Sequence, residues 1–212
     1  MGATHFSLNI PAAQTPVRRL FWGKSMKAVE GNKEISILGF KQVKVVDVNA
    51  FLEKVKAAVL PAAIQLMDAT KIAGSVHLFF AFLNAQKSFE QGRAISENLE
   101  METLLYASGT RQVVKAIEML GVKPSTTNIA AIVFGSNEKE VEDAENMLVK
   151  MISGIRDDSV LEVKERGKIE DLMKTFGVTE VEVKTPQGPK MTLIEALTWL
   201  IVERGSLLSI KH

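Results

Sequence analysis

Residues 72–89, IAGSVHLFFAFLNAQKSF, constrain the fold more than any other part of the chain. The stretch has the length of a helix, and its large apolar side chains cover most of the circumference. These side chains are Phe79, Phe80, Phe82, Leu83 and Phe89. Because a helix that is apolar nearly all round has to be buried, other elements must pack on several of its sides.

One face of this predicted helix lacks large apolar groups. It is formed by Gly74, His77, Ala81, Asn84 and Ser88. Apart from His77 these residues are small or short, so a second backbone can approach closely there. The helix dipole disfavours an imidazolium near the N-terminus, and we expect a neutral, hydrogen-bonding His77. The sequence has neither a His-x-x-x-His pair nor carboxylates at ligand spacing around it, so we predict no metal site.

The composition is that of an ordinary folded protein, with 212 residues, 46% hydrophobic and 24% charged. We predict a single domain over residues 1–212, with a loose lead-in at 1–17 and an apolar tail at 205–212. The absence of cysteine excludes disulfides and thiolate chemistry. No signal-peptide pattern and no uncharged apolar run of about 18 residues is present, so we expect a cytoplasmic protein without a membrane partner. No motif calls for a cofactor.

Strand patterns occur at four places. Two neighbouring strands flank Gly31-Asn32, with Gly39 predicted as a bulge. AAIQLMDA and the apolar run NIAAIVFG predict two more strands, the second of them buried and central. A further strand is predicted at 159–163. The fold class is therefore α/β (α+β), with a mixed, largely antiparallel sheet packed against several helices.

Capping residues predict the helix ends. Asp47 or Asn49, Asn137 with Glu140, and Thr192 with Glu195 each precede an apolar pattern of helical period. In the middle of the chain one helix is predicted from a cap at Ser96 to Gly109, and the next from Thr110 to a left-handed Gly121. A helix that ends at Gly177 and a last helix broken by Gly205 complete the set.

Two further features have open interpretations. Arg111 falls in the first turn of a predicted helix, where a cation opposes the macrodipole. Either an acid such as Glu100 or Glu102 offsets this charge, or the guanidinium has a binding role. The tail exposes the apolar residues Leu207, Leu208 and Ile210. These either fold back onto the core or dock on a partner.

The middle of the chain resembles a known family. The residues that carry the resemblance are Ile72-Ala73-Gly74 with His77-Leu78, and Glu102 with Leu105-Tyr106-Ala107-Ser108-Gly109 and Arg111-Gln112. Together with NIAAIVFG and the ending ERGSLLSI, they resemble the kinase-binding subunit of the KEOPS tRNA-modification complex, the PRPK-binding protein of eukaryotes.

The resemblance implies a non-catalytic accessory subunit. Such a subunit binds and stimulates the atypical kinase/ATPase of KEOPS and helps recruit tRNA by its 3′ end for threonylcarbamoyladenosine formation, which links it indirectly to the threonylcarbamoyl transferase subunit. It implies packing roles for the motif residues Gly74, His77, Asn84, Tyr106 and Gly109. From the apolar ending we expect kinase contacts at Leu207, Leu208 and Ile210.

For RNA, physical reasoning suggests cations beside a crevice for unstacked bases. Lys71, Arg93 and Arg111 lie at the ends of adjacent predicted helices, and we expect them to converge into an RNA-binding patch. Two alternatives stay open: an adaptor in an assembly unrelated to RNA, and a small-ligand enzyme that uses Asp68, His77 and Tyr106. The roles of residues 1–30 and 153–191 are also open.

Overall fold

The structure is a computed structural model that describes residues 26–30, 32–185 and 191–209. The predicted lead-in at 1–17 and Ile210 lie outside the described residues. The single domain over residues 1–212 therefore stays a prediction.

Five described strands form one sheet. They are β1 Met26–Glu30, β2 Lys33–Lys41, β3 Ala63–Asp68, β4 Ile129–Gly135 and β5 Ile155–Arg156. The strand order is β1-β2-β4-β3, and β5 pairs with β2 beyond the end of β1. Every pairing between described strands is antiparallel. The predicted fold class is confirmed.

Eight described α-helices accompany the sheet. They are α1 Val48–Ala58, α2 Gly74–Glu90, α3 Leu99–Ser108, α4 Val113–Leu120, α5 Glu138–Met151, α6 Arg166–Phe176, α7 Glu180–Lys184 and α8 Leu193–Ser206. Short 3-10 turns occur at Ala69–Lys71, Asp158–Leu161 and Leu207–Ser209. The predicted caps at Asp47 and Asn137 are confirmed, as is the capping box of Thr192 with Glu195.

The central strand β4 divides the interior into two cores. All seven of its residues are buried, and its side chains alternate between the two faces of the sheet. Ala130, Ile132 and Phe134 pack in the core beneath α2, α3, α4, α6 and α8. Residues 129, 131 and 133 pack beneath α1 and α5. The sheet therefore lies between two layers of helices, as the uninterrupted apolar run in β4 predicts.

The start of α3 differs from the prediction. Its N-cap is Asn98, whose side chain accepts a hydrogen bond from the Met101 N–H, 2.9 Å away. Ser96 is occupied elsewhere, because its N–H and its hydroxyl both donate to the fully buried Glu102 carboxylate, each at 2.8 Å. Glu102 thus binds the loop that leads into its own helix, and the alternative in which it offsets Arg111 is wrong.

The boundaries of α4 also differ. The helix begins at Val113 with Gln112 as N-cap, so Arg111 precedes the first turn, in which the sequence analysis had placed it. Gly121 has φ −66°, so the predicted left-handed cap is wrong. Left-handed glycines do end α3 at Gly109 and α6 at Gly177, with φ 66° and 62°.

Segment 155–161 covers the edge of β2, and neither the predicted bulge at Gly39 nor the strand at 159–163 is present. Gly39 keeps its register with Ala130, and Asp158 Oδ1 accepts a hydrogen bond from its N–H at 2.8 Å. A Cβ at Gly39 would lie 2.6 Å from Val160 Cγ2. The glycine thus allows a close approach, because the 3-10 turn that follows β5 packs directly on it.

Gly205 lies within α8 and does not end it, contrary to the prediction. A methyl group at this position would collide with the backbone oxygen of Tyr106 in α3. Two helix backbones therefore meet at Gly205, and this approach needs a residue without a side chain.

We predict that Gly205→Ala destabilises the protein by about 2 kcal/mol, because overpacking outweighs the gain in helix propensity of about 1 kcal/mol. Gly167→Ala is the matched control, since a Cβ at this other helical glycine, in α6, meets nothing within 4 Å. The control should leave the free energy of unfolding unchanged or slightly raised. Denaturant unfolding measures the free energy of unfolding of both variants. An unchanged value for Gly205→Ala would show that α3 and α8 can move apart at no cost.

Candidate functional site

His77 is held inside the helical layer by two backbone groups. It is 1% exposed, and its Nδ1 accepts a hydrogen bond from the Ala73 N–H at 3.2 Å. The proton is therefore on Nε2, which donates to Ala107 O in α3 at 2.8 Å. Phe176 packs edge-on against the ring with centroids 5.5 Å apart. Nδ1 thus caps the start of α2, and Nε2 holds α2 to α3.

Burial keeps this imidazole neutral. It lowers the pKa of His77 from 6.5 to about 4; the hydrogen bond to Ala107 opposes the shift, and the charge of Lys168 adds to it. We expected a neutral His77 because of the helix dipole, but desolvation is the main cause.

Asp68, His77 and Tyr106 do not form the catalytic site that the enzyme alternative requires. Asp68 Oδ1 accepts hydrogen bonds from the backbone and hydroxyl of Thr70 at 2.9 and 2.7 Å. Tyr106 is buried, and both nitrogens of His77 face backbone atoms. A general base needs a free nitrogen within reach of a substrate proton, and His77 does not offer one.

The other motif residues lie at helix contacts. Asn84 Nδ2 donates to Ser206 Oγ in α8 at 3.0 Å. Gly74 has φ 89°, where α2 begins, and Gly109 has φ 66°, where α3 ends against the backbone of Arg204. His77, Asn84 and Gly109 therefore join α2, α3 and α8.

The three predicted RNA-binding cations do not form one cluster. Lys71 and Arg111 lie near the His77 end of the α2–α3 pair, where Lys71 Nζ is 3.2 Å from Asp171 Oδ2. Arg93 follows the opposite end of α2, and this helix of 17 residues is about 25 Å long. The expected convergence is wrong for Arg93, whose guanidinium donates to Gln91.

The apolar tail divides into a buried and an exposed residue. Leu208 is 5% exposed and belongs to the core, whereas Leu207 is 41% exposed. Arg111 Nη1 donates to Leu208 O at 3.1 Å, which fixes the turn Leu207–Ser209 beside the segment that leads into α4. At Leu208 the tail therefore folds back, and the expectation that Leu208 is exposed is wrong.

The structure also exposes an apolar face that the sequence analysis missed. We call Val113, Val114 and Ile117 the α4 surface, since all three are exposed on one side of this helix. The signal was present in the sequence VVKAIEML, in which apolar residues outnumber what one buried face needs.

Other types of site have little support in the described part of the chain. Within it, no three His, Asp or Glu side chains are grouped to hold a metal ion. None of its helices has both the length and the apolar character to cross a membrane. A cleft of about 450 Å³ lies between the end of α1 and α5, on the opposite side of the sheet from His77.

We predict that the free energy of unfolding falls by about 2 kcal/mol between pH 7.5 and pH 5 through His77 alone. Its folded pKa lies below its unfolded value of 6.5, so the unfolded chain takes up the proton first as the pH falls. Denaturant unfolding of His77→Gln, which keeps one donor and one acceptor, should lack this component. If the free energy of unfolding depends on pH in the same way for the unaltered protein and for His77→Gln, the prediction is wrong.

Comparisons of the sequence with known proteins identify a family and a relative. Residues 40–204 match the family described as kinase binding protein CGI-121. The chain is 30% identical over 133 residues to the regulatory protein Cgi121 of Methanocaldococcus jannaschii, an alignment that covers 62% of this chain and 82% of that protein. The matched residues include His77, its partner Ala107 and the α4 surface, and this chain belongs to the CGI-121 family of kinase-binding proteins.

Proposed function

We propose that this protein is a non-catalytic accessory subunit of the KEOPS complex. It binds the atypical kinase/ATPase subunit, stimulates that subunit and helps recruit tRNA by its 3′ end for threonylcarbamoyladenosine formation. The observation that carries the proposal is the match of residues 40–204 to a kinase-binding family. The description of the M. jannaschii relative as a regulatory protein supports it.

The interior around the family motif supports a non-catalytic role. His77 has both nitrogens bound to backbone groups, and Glu102 is bound to the loop at residues 95 and 96. These polar groups hold helices and loops in place. Activity is therefore expected to arise from the surface, through contacts with other macromolecules.

The kinase partner can be tested directly. We expect the purified protein to co-elute with the atypical kinase from the same organism and to raise its ATPase rate. Size-exclusion chromatography and a phosphate-release assay measure the two effects. Co-elution without stimulation or tRNA binding would favour the alternative of an adaptor unrelated to RNA. Absence of co-elution would refute the proposal.

The tail is tested in the same assays with Leu207→Asp. Leu207 is exposed, so the substitution should leave the fold intact and moderately reduce stimulation if the tail contributes to the kinase contact. Leu208→Asp is unsuitable, because it places a charge in the core. Full stimulation by Leu207→Asp would remove the tail from the proposed kinase contact.

A role in RNA binding is expected for cations at the His77 end of the helical layer. The variant Lys71→Gln/Arg111→Gln should bind tRNA about tenfold more weakly, with a shallower dependence on salt, because phosphate contacts release counterions. Arg93 lies at the far end of α2, and the variant Arg93→Gln tests separately whether this residue contributes to tRNA binding. Filter binding at two salt concentrations measures each affinity.

The matched control is Lys54→Gln/Lys139→Gln, which removes two exposed cations from α1 and α5 in the opposite layer. It should leave tRNA binding nearly unchanged. Equal losses in the two double variants would indicate a general charge effect and no defined patch.

A further inference from the structure

The apolar stripe of α4 is wider than the surface that the core covers. At about 100° per residue, its apolar side chains span an arc of about 220°. They are Val113, Val114, Ala116, Ile117, Met119 and Leu120. Ala116 and Leu120 are fully buried, whereas Val114 and Ile117 are 70% and 44% exposed. One edge of the stripe therefore packs on the core, and the α4 surface is left in contact with solvent.

This grouping distinguishes α4 from the other described elements. Elsewhere in the described residues of the family match, exposed large apolar side chains occur singly or on different sides of a helix, as with Met147 and Val149 in α5. Three such side chains within about one turn form a continuous patch, because residues three and four apart are neighbours on a helix. Contiguous exposed apolar groups mark interaction sites more often than isolated ones.

The position of the patch in the chain connects it to kinase binding. The family match covers residues 40–204, and a property shared by the family is expected first within this range. The α4 surface lies inside this range, whereas Leu207 and Ile210 lie beyond it. The α4 surface also offers three exposed apolar side chains, whereas Leu207 is the one exposed large apolar side chain in the described part of the tail.

The charges around the patch indicate the chemistry of the partner. Arg111 and Lys115 are exposed at its border, with one acid, Glu118, on the same helix. A complementary surface is apolar at its centre and carries carboxylates at its rim.

The helix is also held at both ends before any partner binds. Arg111 donates to Leu208 O at 3.1 Å, and Lys123 Nζ donates to Glu118 O at 2.8 Å. A surface that is already ordered loses less conformational entropy on association.

We infer that the α4 surface is the docking site for the kinase subunit, through an apolar patch on the kinase that is bordered by carboxylates. This inference rests on the proposed function. Aliphatic side chains without neighbouring aromatic rings on α4 suit a protein partner better than unstacked bases, which prefer aromatic platforms.

The test is the variant Val114→Lys/Ile117→Lys. Both side chains are exposed and lysine is a good helix former, so the fold should be retained. Burying two ammonium groups in an apolar interface should raise the Kd for the purified kinase at least about 100-fold. Isothermal titration calorimetry measures the Kd, and thermal unfolding verifies the fold. The milder Val114→Ser/Ile117→Ser should raise the Kd about tenfold and serves if the lysine variant is unstable.

The matched control is Val181→Lys/Leu193→Lys on α7 and α8. These residues are 74% and 48% exposed, close to the values for the tested pair, and also lie within the family match. The control introduces the same charge at similarly exposed apolar positions. Its Kd should stay within about twofold of the unaltered protein.

The outcomes separate this inference from the proposed function. If the unaltered protein does not bind the kinase, the proposed function fails. If it binds and the folded α4 variants bind equally well, only the inference is wrong. It is also wrong if the unaltered protein alone is a dimer that the α4 variant dissociates, since the surface then binds a second copy. Loss of tRNA binding with unchanged kinase binding would assign the surface to RNA and overturn the inference.

Discussion

The contact between the last turn of α3 and the neighbouring helices fixes the helical layer. Tyr106 O lies against the backbone at Gly205, and the next carbonyl, Ala107 O, accepts the Nε2 proton of His77. One turn of α3 is thereby joined to α8 through a close backbone approach and to α2 through a hydrogen bond. Because Gly109 then reverses the chain in the left-handed region, the position of this turn also determines where α4 starts.

The polar and charged groups of the interior are used to hold the fold together. Lys168 Nζ donates to the carbonyls of residues 160, 161 and 162, and burial lowers the pKa of Lys168 to about 8. Glu102 satisfies the N–H groups of the loop before its own helix. Buried donors and acceptors of this kind are costly when left unpaired, so they specify one arrangement of the helices. The side chains of the α4 surface take no part in these hydrogen bonds, because they are exposed and apolar.

Local signals predicted much of the fold. Asp47, Asn137 and the Thr192–Glu195 box mark helix starts because a side-chain oxygen next to free N–H groups acts within a few residues. The apolar run of β4 predicted a central strand because a strand that is covered on both faces needs apolar side chains at successive positions. The cap at Ser96 failed because a more distant acid, Glu102, takes its hydroxyl, and the strand at 159–163 failed because its segment packs on Gly39. At Ser96 the competing partner is only six residues away, whereas at 159–163 a partner more than 100 residues away in the chain overrode the local preference.

Of the candidate site, the sequence by itself determined that α2 must be buried, and it predicted a structural role for His77. It also contains the residues whose resemblance to a kinase-binding family the match over residues 40–204 confirmed. Only the tertiary structure decided that Gly205 allows a backbone contact, that Arg93 lies far from Lys71, and that Leu208 is buried while Leu207 is exposed. The same holds for the α4 surface. Which half of an apolar stripe meets solvent depends on how neighbouring helices are oriented, and that orientation arises from contacts between residues far apart in the chain.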